Sequence, residues 1–198
     1  MEGQTTMKGR VFTLNYRRKR KGKTNYKRRL NLIKSGNLRV VVRKGLNNFL
    51  VQLIEFNSIG DKVLVSSSTR ELIKYGWKAH RGNLASAYLV GFLSGLKAKK
   101  KGLKSGILDL GLYRAIKNSS FFAVVKGLKD SGFEIPVNES VLPIDRVLGK
   151  HIEDYAKKLK GTEKYKKQFS KYLKAGINPE ELSKHVGDVK SKITTKWQ

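Results

Sequence analysis

Residues 15–36 of this chain hold a dense run of basic side chains that could bind a polyanion. The stretch NYRRKRKGKTNYKRRLNLIKSG contains ten lysines and arginines and no acidic residue. The imbalance extends over residues 3–54, which hold fifteen basic residues and no acidic one. Such cations repel one another unless a dense polyanion neutralises them, and each cation that meets a phosphate releases bound counterions. The pattern therefore favours contact with nucleic acid over a solvated surface, in which both signs of charge alternate.

The acidic residues and histidines give little support for catalysis. A metal-dependent nuclease needs several carboxylates that converge on Mg²⁺. Asp61, Asp109 and Asp130 are candidates because acids are scarce, and Asp109 is the best of them because an apolar strand carries it. A turn acid that accepts hydrogen bonds from backbone amides is the more frequent role for such a residue. The three histidines are far apart and lack metal-ligand spacing, so the sequence predicts no enzyme, metal site or cofactor.

Neither a membrane span nor a disulfide framework is predicted. The longest apolar stretch, LASAYLVGFLSGL at residues 84–96, is shorter than the roughly 20 residues that cross a bilayer. The beginning, MEGQTTMKGR, shows no apolar segment typical of a signal peptide. The chain also contains no cysteine. We therefore expect a soluble cytoplasmic protein with no membrane partner.

The distribution of charge divides the chain into three predicted parts. Residues 1–23 form a basic N-terminal arm, residues 24–147 an α/β core, and residues 148–198 a C-terminal helical extension. Within the core, residues 105–147 contain five basic and five acidic residues, which is typical of a scaffold. The cationic segments flank this neutral block.

A short helix is predicted directly after the arm. Thr24 is the expected N-cap, and Gly36 ends the helix. Tyr26, Leu30 and Ile33 share one stripe that would pack, so the remaining faces would present cations to solvent.

Three consecutive strands should follow this helix. The run RVVVRKGLNNFLVQLIEF contains two β-rich segments joined at residues 45–48, and KVLVSSS follows a turn at residues 60–61. This spacing predicts an antiparallel meander. Polar side chains on it could contact phosphates and base edges, although ordinary solvated strand residues explain each of them as well. These side chains are Arg39, Arg43, Lys44, Asn47, Asn48 and Gln52.

Two predicted helices enclose a loop that combines an aromatic ring with cations. Ser68 and Glu71 have capping-box spacing for a helix through residue 75, and Asn83 can cap a nearly all-apolar helix that reaches Lys97. Gly91 and Gly95 in this second helix would permit close approach, so the helix should be buried against the sheet. The loop between the helices, GWKAHRGN, supplies Trp77, Lys78 and Arg81 as a stacking and cationic cluster, although a tryptophan beside a helix end is more often a core anchor.

The rest of the chain predicts alternating helix and strand. GILDLGL at residues 106–112 is a short strand, and residues 119–132 form a helix. The amphipathic segments at residues 152–159 and 163–174 form surface helices, and NPEEL at residues 178–182 begins a last helix through Ile193. Strands followed by alternating helix and strand indicate an α/β layer with helices packed over a mixed sheet.

Several blocks of the sequence occur together in one known family. They are RRKRKGKTNYKRRLNLIKSG, RVVVRK, GWKAHRGNLASAYLVGFLSGLKAKKKG, LDLGL, FFAVVKGLKDSGFEIPVNES, DRVLGKHIEDYAKKLK and FSKYLKAGINPEELSKH. In this order they resemble the archaeal ribosomal protein L-eighteen family, whose eukaryotic counterpart is the large-subunit protein that carries 5S rRNA. The resemblance covers residues 16–193. The chain departs from the family at residues 45–49, where asparagines are the only polar side chains.

The resemblance implies both a fold and a function. The fold would be a ribonuclease-H-like mixed sheet covered by helices, which does not imply nuclease chemistry. The function would be to bind 5S rRNA and dock it against the large rRNA in the central protuberance of the cytoplasmic ribosome, beside neighbouring large-subunit proteins. It implies RNA contact for residues 17–29 and for Arg39, Arg43 and Lys44.

Together with the candidates from residue chemistry, the predicted RNA-binding residues are Tyr16, Arg17, Arg18, Lys19, Arg20, Lys21, Lys23, Thr24, Tyr26, Lys27, Arg28, Arg29, Arg39, Arg43, Lys44, Asn47, Asn48, Gln52, Trp77, Lys78 and Arg81. Two alternatives stay open. A nonspecific chromatin-type protein would bind duplex DNA as well as folded RNA, and an RNA-processing nuclease would cleave RNA with Mg²⁺.

Overall fold

A four-stranded mixed sheet forms the centre of the structure, a computed structural model that describes residues 13–144 and 146–197. Its strands are β1 (Arg39–Lys44), β2 (Phe49–Glu55), β3 (Lys62–Ser68) and β4 (Ile107–Asp109). Their order across the sheet is β3-β2-β1-β4, in which β1 to β3 are antiparallel and β4 is parallel to β1. The predicted α/β class, mixed sheet and antiparallel meander are confirmed. The finer ribonuclease-H-like description stays a prediction.

The alternation of apolar and polar side chains along β1 explains which face of the sheet is turned toward the core. Val40 and Val42 are buried on one face, whereas Arg43 and Lys44 are exposed at the end of the strand. The turn to β2 closes at Gly45, whose N–H donates to the Asn48 carbonyl at 2.8 Å. The sheet therefore has one face in the core, and its basic residues lie at a strand end.

Helices cover the sheet and continue to the end of the chain. In the described part the α-helices are α1 (Arg17–Arg20), α2 (Tyr26–Lys34), α3 (Leu84–Lys100), α4 (Ser120–Asp130), α5 (Lys150–Leu159), α6 (Glu163–Gln168), α7 (Ser170–Lys174) and α8 (Leu182–Trp197). Short 3₁₀ segments occupy Glu71–Tyr75, Glu139–Val141 and Pro179–Glu181. Among the described helices, none has both the length and the apolar character needed to cross a membrane.

The central helix α3 packs on the sheet and on α4. Asn83 caps it as predicted, since its side-chain oxygen accepts from the Ser86 N–H at 2.8 Å. Most of its residues between Ala85 and Ala98 are buried. A Cβ on Gly91 would overlap the Val124 backbone of α4, and one on Gly95 would overlap the Ser131 side chain that follows α4. The predicted close approach at both glycines is confirmed, but it is made to α4 and not to the sheet.

The helix after the arm differs from the prediction in its cap and in its packed face. Asn25 caps α2, because its side chain accepts from the Arg28 N–H at 3.0 Å, whereas the Thr24 hydroxyl accepts from Arg18 Nε at 2.8 Å. Leu30 is 52% exposed, and Arg28 and Arg29 are half-buried in its place. Tyr26 and Ile33 of the predicted apolar stripe are half-buried as expected, so the stripe fails only at Leu30, and the packed face of α2 is partly polar.

The other helical predictions hold with local corrections. Glu71 accepts from the Ser68 N–H at 2.9 Å as the capping-box spacing predicted, but the segment that follows is a 3₁₀ helix. The amphipathic segment at residues 163–174 is divided at the buried Phe169 into α6 and α7. The final helix α8 packs against α3, and Trp197 Nε1 donates to the Tyr75 hydroxyl at 2.7 Å.

Candidate nucleic-acid interface

The described part of the basic arm presents its cations to solvent. Helix α1 consists of four basic residues with none buried. Tyr16 is 72% exposed, and its ring lies 5.1 Å from that of Tyr26, centroid to centroid. The exposed arm cations are Arg17, Arg18, Lys19, Arg20, Lys21 and Lys23. Residues 1–12 of the predicted arm lie outside the described residues.

Arginines of α2 connect the arm to the core. Arg28 Nη1 donates to the Gly111 carbonyl at 3.2 Å and to the Tyr113 carbonyl at 3.3 Å. Arg29 forms an ion pair with Asp61 at 2.8 Å. Lys27 is exposed on the same helix. These contacts engage part of both guanidinium groups, so Arg28 and Arg29 fix the helix in addition to any contact with phosphate.

Arg39 is a correction to the predicted set, because its side chain is buried in an ion-pair network. It is 3% exposed, and its guanidinium lies 2.6 Å from an Asp61 oxygen and 3.1 Å from an Asp109 oxygen. A phosphate group cannot reach it without displacing these carboxylates. Arg39 therefore stabilises the sheet face opposite α3. The alternating pattern of β1 could not predict this burial, because it does not show which other residues pack on each face of the strand.

The three carboxylates that were candidates for catalysis all have structural partners, and Asp61 and Asp109 belong to the Arg39 network. The second oxygen of Asp109 accepts from the Gly111 N–H at 2.9 Å, which is the turn role expected as the more frequent one. Asp130 accepts from the Tyr88 hydroxyl at 2.8 Å, and burial together with this hydrogen bond raises the pKa of Tyr88 above its usual range. Within residues 13–144 and 146–197, no group of three or more His, Asp or Glu side chains could hold a metal ion.

The β1–β2 turn presents polar and basic groups at the edge of the sheet. Arg43, Lys44 and Asn47 are exposed. Asn48 is half-buried, and its side-chain oxygen accepts from the Thr69 hydroxyl at 3.4 Å. Asn47 is therefore the freer of the two asparagines, whereas Asn48 contributes to the shape of the turn.

Gln52 lies at the middle of β2, and its side chain is half-buried. It pairs with Val41 of β1 and with Ser66 of β3, so it belongs to the sheet face opposite α3. This position places an amide on the same face as Arg43. Its contact with RNA stays a prediction.

The loop at residues 76–83 is divided between the core and the surface. Trp77 is 2% exposed and stacks on His185 with ring centroids 5.1 Å apart, so it is a core anchor and cannot offer its face to a base. The Lys78 N–H donates to His185 Nε2 at 3.4 Å, and burial lowers the pKa of His185, which favours the neutral ring that can accept. The Lys78 side chain is exposed, and Arg81 is half-buried.

Contacts across the edge of the sheet join these groups into one surface. Tyr113, whose carbonyl accepts from Arg28, also donates its hydroxyl to the Lys44 carbonyl at 3.2 Å. On the other side of the turn, Asn47 shares a cavity with Lys78 and Arg81. The basic surface therefore runs from the arm through α2 and the β1–β2 turn to the loop at residues 76–83.

Two exposed cations on this surface were missed from the sequence. Arg114 and Lys117 follow β4, within a block that its balanced charge marked as scaffold. Because β4 is parallel to β1, the residues after both strands lie at the same edge of the sheet. The balanced net charge of residues 105–147 concealed these two cations, because it sums residues that lie in different parts of the fold. A prediction that β4 pairs in parallel with β1 would have placed them beside the basic turn.

One comparison with known proteins bears on this surface. A family model described as ribosomal large subunit proteins 60S L5 and 50S L18 matches residues 10–106. The matched residues include the arm from residue 10, strands β1 to β3, the loop at residues 76–83 and helix α3. Every predicted RNA-binding residue falls inside this range.

Proposed function

Because the chain belongs to the family of ribosomal large-subunit proteins 60S L5 and 50S L18, we propose that it binds 5S rRNA and anchors it to the large rRNA in the central protuberance. It is an rRNA-binding structural protein of the large ribosomal subunit and acts in translation. The proposed partners are 5S rRNA, the large rRNA and neighbouring large-subunit proteins, in the cytoplasmic ribosome.

The observation that carries this proposal is the basic surface, to which residues 13–54 contribute cations and no acidic side chain. Six exposed cations from residues 17–23 lead into α2 and the turn after β1. Phosphate contacts from such a surface supply affinity and fix orientation, because counterion release is largely independent of sequence. The arm would therefore provide most of the binding free energy and little of the selectivity.

Selectivity requires polar groups on a rigid support. Asn47 lies on a hydrogen-bonded turn, and Gln52 lies inside a three-stranded antiparallel ladder. Their amides both donate and accept, so they can distinguish base edges in a way that lysine cannot. This arrangement supports recognition of folded RNA over the nonspecific chromatin-type alternative.

The nuclease alternative has less support. Both oxygens of Asp109 are engaged by Arg39 and by a backbone amide, and Asp61 is engaged by two arginines. We infer that the protein has no turnover of its own and that added Mg²⁺ does not lead to RNA cleavage. Cleavage that Asp109→Asn abolishes would contradict this inference.

The proposed function can be tested by selection from a natural mixture. The immobilised full chain is incubated at about 0.3 M salt, where nonspecific contacts are weakened, with total RNA from dissociated large subunits. Retained RNA is then sequenced. We expect 5S rRNA to be enriched over its share of the input. Retention of RNA in proportion to the input would contradict the proposal.

A further inference from the structure

A second cationic site lies between the core and the C-terminal helices. An open cleft of about 1150 Å³ separates the loop at residues 76–83 from the segment that contains α5, α6 and α7. Five cations line it, and its described lining contains no carboxylate. The cations are Lys78 and Arg81 on the core side and Arg146, Lys167 and Lys171 on the side of the extension. Charge on both walls favours an anionic occupant.

Aromatic rings complete the cleft. Tyr155 of α5 is 47% exposed at its wall, and its ring lies 6.2 Å from the buried ring of Phe169, centroid to centroid. Phe169 therefore supports Tyr155 from behind and leaves part of its surface to solvent. A supported, partly exposed tyrosine beside cations is the combination that binds unpaired bases together with their phosphates.

We propose that this cleft binds unpaired nucleotides of an RNA strand. Lys167 and Lys171 contact the phosphates, and a base stacks on Tyr155. The inference rests on the proposed function, because it takes RNA as the polyanion, but its residues are distinct from the surface assigned above to 5S rRNA apart from the neighbouring loop.

Single-stranded RNA fits these groups better than other polyanions do. An acidic peptide would satisfy the five cations but would gain nothing specific from the tyrosine ring. The bases of a duplex are paired and stacked, so they cannot turn into a cleft without the free-energy cost of opening the helix. A short unpaired RNA strand can stack a base on the tyrosine ring and has no helix to open.

The experiment compares two double variants of the full chain. Lys167→Ala with Lys171→Ala removes two lysines that line the cleft, and Lys164→Ala with Lys174→Ala removes two that do not, from the same helices α6 and α7. All four lysines are exposed, so both variants lose equal charge without loss of packing. The probes are a seven-nucleotide single-stranded RNA of mixed sequence, the matching RNA duplex and a peptide of seven glutamates.

For the single strand, we expect the cleft variant to bind on the order of tenfold more weakly than the control variant. The slope of log affinity against log salt should fall by about 1.4, because each lost single-strand phosphate contact removes roughly 0.7. Tyr155→Leu keeps an apolar side chain but removes the stacking surface, and it should weaken the single strand on the order of tenfold without affecting the peptide.

Three results would overturn the inference: equal losses in both double variants, a loss for the duplex or the peptide in the cleft variant as large as the loss for the single strand, or no effect of Tyr155→Leu. Binding of 5S rRNA to the unaltered chain is measured in parallel. If 5S rRNA still binds while the cleft variants behave like the control, only the cleft assignment fails. If 5S rRNA does not bind, the proposed function fails.

Discussion

At the scale of single residues, the carboxylate of Asp61 fixes Arg29 of the basic surface and the buried Arg39. One of its oxygens lies 2.8 Å from Arg29 Nη2 and 2.6 Å from Arg39 Nη2, and Asp109 provides a second carboxylate to Arg39. Because Arg39 is buried, removal of one carboxylate would leave a guanidinium partly uncompensated away from water.

We therefore expect Asp61→Asn to lower the free energy of unfolding by about 2–4 kcal/mol, less than the roughly 3–5 kcal/mol for a fully buried ion pair because the Asp61 side chain is 22% exposed. Urea denaturation at pH 7 measures the change. Glu55→Gln alters an exposed carboxylate at the end of β2 and should change stability by less than about 0.5 kcal/mol. Equal effects in the two variants would show that the network contributes little to stability.

The asparagines of the β1–β2 turn test recognition without a change of charge. Asn47→Ala combined with Asn48→Ala should lower the affinity for 5S rRNA by about 1–3 kcal/mol, the usual cost of losing polar contacts at a recognition surface. Filter binding against duplex DNA serves as the control, and there the affinity and the salt slope should hardly change.

If this double variant loses affinity equally for both ligands, or for neither, the turn has no part in selectivity. Selectivity would then have to come from other parts of the surface, such as Gln52 or Arg81. Because Asn48 also accepts from Thr69, the single variant Asn47→Ala separates recognition from support of the turn.

At the scale of elements, the contact between α3 and α4 depends on glycine. A Cβ on Gly91 would overlap the Val124 carbonyl, and one on Gly127 would overlap the Tyr88 carbonyl. The two helix backbones therefore touch directly, and the core has no room for even one methyl group at these positions.

Gly91→Ala should therefore lower the free energy of unfolding by about 2–3 kcal/mol, since the helices must separate to accept the methyl group. The matched control is Gly187→Ala in α8, where an added Cβ meets no atom within 4 Å. There alanine should raise the stability by about 0.5–1 kcal/mol because it favours helix. Thermal or urea unfolding of both variants provides the measurement, and a Gly91→Ala protein as stable as the unaltered chain would rule out direct backbone contact.

The sequence predicted those elements whose signals are local. The meander follows from alternating apolar residues and short turns, and Asn83 and Gly91 could be assigned because a cap and a glycine act on their own neighbours. The burial of Arg39 and Trp77 was not predicted, because it depends on distant partners, namely Asp61, Asp109 and His185. The division of residues 163–174 into α6 and α7 at Phe169 likewise depends on the tertiary packing of this side chain, which the helical periodicity of the sequence does not show.

At the scale of the whole molecule, the exposed cations of the arm lie on a different part of the chain from the residues that form the hydrophobic core. The arm carries exposed cations and no buried residue in α1, whereas the core is built from the sheet, α3 and α4. Stability and electrostatic affinity therefore belong to different parts of the chain, and each can be altered without the other.

Deletion of residues 1–23 tests this separation. We expect the free energy of unfolding to stay within about 0.5 kcal/mol of its original value, because no buried residue is removed from α1. The slope of log affinity for 5S rRNA against log salt should become shallower by several units, at roughly 0.7–0.9 for each lost phosphate contact. Duplex DNA should lose affinity by a similar factor, since phosphate contacts carry no sequence information. An unchanged slope would contradict this role of the arm.

The most direct test of the central claim, selective binding of 5S rRNA, is a competition at fixed salt. Labelled 5S rRNA bound to the full chain at about 0.2 M salt is displaced by unlabelled 5S rRNA, by an unrelated structured RNA of equal length or by duplex DNA of equal charge. We predict that unlabelled 5S rRNA displaces the label at a concentration at least about 100-fold lower than either competitor, as expected for specific over nonspecific binding. Displacement by all three at similar concentrations would contradict the claim and would identify the protein as a nonspecific polyanion binder.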